Sequence, residues 1–191
     1  MLIVLRKKRI VTTMLVAAVV LAIVFGTMPI LHTLFPLRHR EWIDTYSEKY
    51  GLDPYLVMGV ISAESRFEES AVSHKDARGL MQITGETAAW CIGKFDIPAT
   101  AEQIHLPEVN IQIGCAYLDY LMETFDGQTQ TVLAAYNAGQ GNVRKWLADV
   151  AYSADGKTLH TIPFEETRTY VDKVIKRMEI YRRLYAEETY R

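Results

Sequence analysis

Acidic residues are missing from the first forty positions of this 191-residue chain; the first is Glu41. Charge of either sign is missing from residues 10–37. That absence excludes an ordinary amphipathic surface helix over this stretch. Residues 10–31 number 22, roughly 33 Å as a helix, the thickness of a bilayer's hydrocarbon core. Four basic residues, Arg6, Lys7, Lys8 and Arg9, precede them. A basic flank followed by an apolar run describes both a cleaved signal peptide and an uncleaved anchor. Val24-Phe25-Gly26 is a weak cleavage site, and the apolar run continues past it through Met28, Ile30 and Leu31. The pattern therefore points to a basic flank and membrane anchor over 1–37, with one N-terminal transmembrane helix spanning 10–31, its basic end in the cytoplasm and the body outside. No cysteine follows the run, which excludes a lipoprotein.

Cysteine is scarce, with only Cys91 and Cys115, so a disulfide-dense scaffold is excluded. The two fall on consecutive helices on the side where bridges form, and a bridge and a pair of buried thiols both remain open. Positive charge is scarce in the body. The net charge is −2, and without the four leading basic residues 17 basic face 23 acidic ones. That balance excludes a nucleic-acid partner. The five histidines (32, 39, 74, 105 and 160) show no ligand spacing, so neither a metal nor another cofactor is expected. Repeats and low-complexity segments are absent, and strand signals are few.

What remains is helical periodicity with good stops, in a chain that is 49% apolar. Trp42, Ile43, Tyr46 and Tyr50 share a helix face that ends at Gly51. Asp53-Pro54 supplies an N-cap and a first-turn proline for the next helix. A polar loop covers 66–78, and Thr84 caps a helix to about Gly93. Pro107 opens a long helix with Ile113, Tyr117, Leu121 and Phe125 inward. Residues 129–138 form another, Asn142 starts a short one, and 150–162 is the longest loop. After Pro163 a last helix aligns Tyr170, Val171, Val174, Ile175, Met178 and Tyr181. The body is all-α, one domain over 38–191.

One residue breaks the pattern. Leu56, Val57, Val60 and Ile61 mark a helix face whose next position holds Glu64. A hydrogen-bonded core carboxylate is one reading. The other is a general acid, since burial disfavours the ionised form and a carboxyl that stays protonated can donate to a leaving oxygen. Glycosidic cleavage uses such a group. Gln82 offers neutral donors and an acceptor, and "AAYNAG" places Tyr136 beside Asn137 at a helix end. Met81 reads as core filler, while Ser73 and Asp76 sit in the polar loop.

Four segments together carry a resemblance: "ES-x-F" at 64–67, "S-x-x-D-A-R-G-L-M-Q-I" at 73–83, "A-Y-N-A-G" at 135–139 and "I-P-F-E-E-T-R-T-Y-V" at 162–171. They resemble the soluble lytic transglycosylase family, over roughly 42–185. "N-I-x-x-G-x-x-Y-L" at 110–118 is similar to that family's intervening helix. The resemblance implies a goose-type-lysozyme-like fold and action on peptidoglycan glycan strands. It implies Glu64 as the single catalytic acid/base and Ser73, Gln82, Tyr136, Asn137 and Tyr170 as substrate-binding residues. Tyr136 is expected to hydrogen-bond the Glu64 carboxyl or the sugar. Asp76 departs from the family pattern, which often has glycine there. An added carboxylate could orient a water, so a hydrolytic muramidase stands as the alternative. A catalytically silent wall-binding module is a third reading, and protein partners are not indicated.

Overall fold

The computed structural model describes residues 2–186, without the side chains of 2–12, 20, 23–25 and 28. The chain divides into two units, Met1–Leu37 and Arg38–Arg191. In the first, α1 runs Leu2–Leu34 with Pro29 inside it. Among the described residues no helix is long and apolar enough to cross a membrane. The expected span over 10–31 lies partly outside the described side chains.

The second unit contains seven α-helices among the described residues. They are α2 (Arg40–Lys49), α3 (Pro54–Glu64), α4 (Gly85–Phe95), α5 (Pro107–Thr124), α6 (Thr129–Ala138), α7 (Gln140–Leu147) and α8 (Glu165–Tyr185). A 3₁₀ turn, Ala101–His105, leads into α5. Only isolated bridges, Val72 with Arg78 and Arg78 with Ile83, represent extended pairing among the described residues. The body is thus all-α, as its periodicity predicts.

Local side-chain chemistry explains the starts of α3, α4 and the 3₁₀ turn. The Asp53 carboxylate accepts from the Tyr55 N–H, and Pro54 occupies the first helical position, where no donor is needed. The Thr84 hydroxyl accepts from the Thr87 N–H to start α4. Thr100 and Gln103 form a capping box on the 3₁₀ turn, an element the periodicity does not reveal. Helix α7 begins at Gln140, two residues earlier than Asn142. Gly139 at φ 85° ends α6 and opens α7 together, with no side-chain cap to mark the start.

The larger correction concerns α3. Its residues 56–63 are all buried, Met58, Gly59, Ser62 and Ala63 included. The apolar face marked by 56, 57, 60 and 61 understates it, because over these residues the helix is buried on every side. Its main partner is α8. Gly59 permits that pairing, because a Cβ there would lie 3.0 Å from the Val174 carbonyl oxygen and 3.1 Å from the Met178 nitrogen. Any larger side chain would push α8 away from the helix that ends in Glu64.

Candidate active site

Glu64 is the last residue of α3, and the chain leaves it sharply. Ser65 donates to the Ile61 carbonyl at 3.2 Å and accepts from the Phe67 N–H at 3.1 Å. Arg66 (φ 56°) and Phe67 (φ 65°) are both left-handed, a conformation that costs an L-residue roughly 1–2 kcal/mol. Phe67 is 1% exposed and meets the Tyr181 ring at 5.9 Å between centroids, which offsets that cost by burial. The turn leaves Glu64 at the wall of a cleft of about 440 Å³.

Five of the six residues singled out in the sequence line this cleft: Glu64, Ser73, Gln82, Tyr136 and Asn137. Tyr170 does not. It lies on the inward face of α8, 8% exposed, and is electrostatically linked to Glu64 from behind. Asp76 is also off the cleft wall; it is exposed and holds Arg78 at 2.8 and 3.1 Å.

The carboxyl's surroundings favour its protonated form. Burial raises the Glu64 pKa from 4.5 to about 7, opposed by the Tyr170 hydroxyl and by the positive charge of Lys173. The Tyr170 hydroxyl is buried and, among the described residues, has no partner of full hydrogen-bond geometry. It is a donor held near the carboxyl, able to favour the anion once that forms. A carboxyl titrating near 7 can give up a proton and take one back under the same conditions.

The other cleft residues are held by the backbone around them. The Gln82 amide nitrogen donates to the Ala71 and Gly79 carbonyls at 3.1 and 2.9 Å, so its carbonyl oxygen is what remains for a ligand. Those bonds support its left-handed backbone at φ 50°. The Ser73 oxygen accepts from the Lys75 and Ala77 N–H groups, both at 3.2 Å, leaving its proton to donate. The Tyr136 hydroxyl donates to the Met81 carbonyl at 2.9 Å rather than to Glu64, which is one of the two partners the resemblance implies, the sugar being the other. Asn137 accepts from the Thr167 hydroxyl at 2.8 Å, which ties α6 to α8 and leaves the amide N–H groups for a ligand.

Sequence reasoning missed four contributors. Buried Asn110 accepts from the Met81 N–H at 2.7 Å and donates to the Arg78 and Ile104 carbonyls at 2.9 and 2.7 Å. It thereby fixes the 78–83 turn against α5. Gly79, at φ 73°, is required where it stands, since a Cβ would lie 2.5 Å from the Asn110 amide nitrogen. Glu166 and Phe164 line the cleft from the start of α8. Both lie inside the 162–171 segment, yet only the fold shows that this end of α8 reaches the cleft. Among the described residues, no group of three His, Cys, Asp or Glu side chains is arranged to hold a metal ion.

Comparison with known proteins accounts for this arrangement. The family model of the transglycosylase SLT domain matches residues 41–158. The soluble lytic murein transglycosylase of Escherichia coli (strain K12) is 36% identical over 155 residues, 80% of this chain and 24% of that protein. The membrane-bound lytic murein transglycosylase C of Edwardsiella ictaluri (strain 93-146) is 31% identical over 175 residues, 77% of this chain and 47% of that one. Among solved structures, an inactive mutant of the lytic transglycosylase Slt from Pseudomonas aeruginosa superposes with a TM-score of 0.73 at 38% identity, covering 80% of this chain and 25% of that one. The chain thus spans about a quarter of the length of the soluble relatives it matches. With a family model matched over more than half its residues and a cleft built from the same four segments, the chain belongs to the transglycosylase SLT domain family.

Proposed function

We propose that this chain is a peptidoglycan lytic transglycosylase with Glu64 as its single acid/base. The observation that carries the reading is a carboxyl desolvated to a pKa of about 7 on the wall of a polar cleft. Protonated Glu64 gives its proton to the oxygen joining N-acetylmuramic acid to N-acetylglucosamine, and the bond from that oxygen to the muramoyl C1 breaks. The carboxylate then removes the proton of the muramoyl 6-hydroxyl as O6 closes on C1. The product is a 1,6-anhydro end, and no water is consumed. A nucleophile already held within the substrate makes a second protein carboxylate unnecessary. Ser73 and Asn137 contribute donors to the bound sugar, Gln82 contributes an acceptor, and Tyr136 shapes the wall. Tyr170 supports the carboxylate from behind.

The hydrolytic alternative needs a carboxylate that positions water. Asp76 is bonded to Arg78 and does not itself line the cleft, whereas Glu166 stands on the wall and is the more specific candidate for that role. Mass analysis of fragments released from purified peptidoglycan separates the two. Anhydro ends are expected from the wild type, with no release by Glu64→Gln. Ends one water heavier would transfer the assignment to a muramidase, and an active Glu64→Gln protein would end both.

The domain assignment follows: 1–37 as an anchor and 38–191 as the catalytic domain. The apolar run and its basic flank support a single-pass topology, N-terminus in the cytoplasm and cleft outside. Sequencing the N-terminus of protein recovered from washed membranes tests it. A mature chain beginning near Thr27 in the soluble extracellular fraction would overturn the anchor.

A further inference from the structure

Helix α8 approaches the end of α3 closely enough for its side chains to bond the last carbonyls of that helix. The Lys173 ammonium donates to the Ala63 carbonyl at 2.5 Å. One turn further on, Arg177 donates through one guanidinium nitrogen to the carbonyl and the hydroxyl of Ser62, each at 2.5 Å. Carbonyls of a helix's last turn have no partner within the helix, and cations there also meet the negative end of its dipole. Ordinary capping would end the account, except that Ala63 immediately precedes Glu64. Lys173 is also a cation acting on that carboxyl, while Arg177 is not among the groups that do.

We propose that Lys173 is a positioning residue for Glu64: bonded to the carbonyl just before it, the ammonium fixes the last turn of α3 and holds one positive charge behind the carboxyl. The proposal rests on the reading of Glu64 as acid and base. The groups facing the carboxyl are Tyr136 from α6 and Tyr170 and Lys173 from α8, with Arg66 and Arg177 beside Lys173. Both tyrosines are held neutral by burial, so Lys173 supplies the formal charge. Once Glu64 has given its proton away, a carboxylate stands in a largely dry site. An ammonium fixed behind it stabilises that anion and makes the carboxyl a better donor. Because Lys173 does not line the cleft, it acts on turnover and leaves substrate binding alone.

The test compares Lys173→Met, Lys173→Gln and Lys173→Arg with Arg177→Met, in the full chain, on purified glycan strands from pH 4 to 9. Activity that needs protonated Glu64 falls as pH rises through its pKa. Removing the positive charge raises that pKa, so the alkaline limb of the Met and Gln profiles should move to higher pH. Turnover below the limb should drop about tenfold with KM unchanged, as for an interaction made in the transition state. Lys173→Arg should restore the wild-type limb. Arg177→Met, which loses a comparable hold on α3, should leave the limb in place. A limb unmoved in the Met and Gln variants, or moved equally by Arg177→Met, overturns the proposal. If the Met variant does not fold, the Gln and Arg pair decides: Gln must shift the limb and Arg must not. An active Glu64→Gln protein overturns the reading beneath and the proposal with it, whereas an inactive one beside an unmoved limb overturns the proposal alone.

Discussion

Replacing Glu64 by Gln should make the protein more stable, and by an amount that grows with pH. A carboxyl whose pKa rises from 4.5 to about 7 on folding binds its proton more tightly in the folded chain than in the unfolded one. Below pH 4.5 both states are protonated, and Glu64 costs nothing. Between 4.5 and 7 the unfolded chain ionises while the folded one does not, so stability falls as pH rises. Above 7 the folded protein carries a desolvated carboxylate and the full cost is present. The interval from 4.5 to about 7, at about 1.4 kcal/mol per pKa unit, amounts to about 3 kcal/mol. The cleft-facing edge of Glu64 stays open to water, which trims this to about 2–3 kcal/mol.

The Gln side chain is near-isosteric and does not titrate. Other ionisable groups are common to both proteins, so they cancel in the difference between them. Urea unfolding at pH 4 and pH 8.5, followed by tryptophan fluorescence of the full chain in mild detergent, gives that difference directly. The stability gap between variant and wild type should widen by about 2–3 kcal/mol across this range. A gap that is the same at both pH values would refute the argument, whatever the variant's activity, because Glu64 would then ionise alike in both states.

Asp76→Asn should keep the rate within about tenfold and leave the anhydro end unchanged, because Asp76 is exposed, bound to Arg78 and not itself one of the residues lining the cleft. Nearly complete loss, measured on the same peptidoglycan digest, would refute that. Asn110→Ala removes three hydrogen bonds, two buried and one part-buried, and leaves one N–H and two carbonyls without that partner. It should cost about 3–5 kcal/mol by chemical denaturation, and a loss below about 1 kcal/mol would show that the 78–83 turn does not depend on it. Cys91 and Cys115 are buried free thiols, and burial pushes Cys91 up to about 12 and Cys115 higher still. Neither should take up an alkylating reagent in the native protein, and both should do so after unfolding without reductant; no labelling after unfolding would reveal a bridge.

Helix boundaries were legible where a side chain bonds a neighbouring backbone group. Asp53-Pro54 and Thr84 start helices through contacts two or three residues away, so their meaning is contained in a short window of sequence. Thr100 and Gln103 carried the same kind of signal for the 3₁₀ turn. The start of α7 carried none, because Gly139 contributes only backbone. Periodicity also understated α3. A stripe of apolar residues says which face is buried, but Met58, Gly59, Ser62 and Ala63 are buried only because α8 and its neighbours close over the remaining sides.

The site divides along the same line. Glu64 was legible because a carboxylate interrupting an apolar stripe is a local contradiction that needs no partner to be noticed. Asn110 and Lys173 were not, since their bonds cross 29 and 110 positions of sequence and no local pattern encodes them. Tyr170 shows the two kinds of evidence in conflict. Its motif placed it among the substrate contacts, while its own periodicity placed it on the buried stripe of α8 beside Val171 and Val174. The stripe prevailed, and for a physical reason: α8 can pack on α3 only by turning that face inward. The same rotation carries Lys173, three positions and nearly one turn further along, to the carbonyl before Glu64. Tyr170 and Lys173 thus share one face of one helix, and both act on the Glu64 carboxyl.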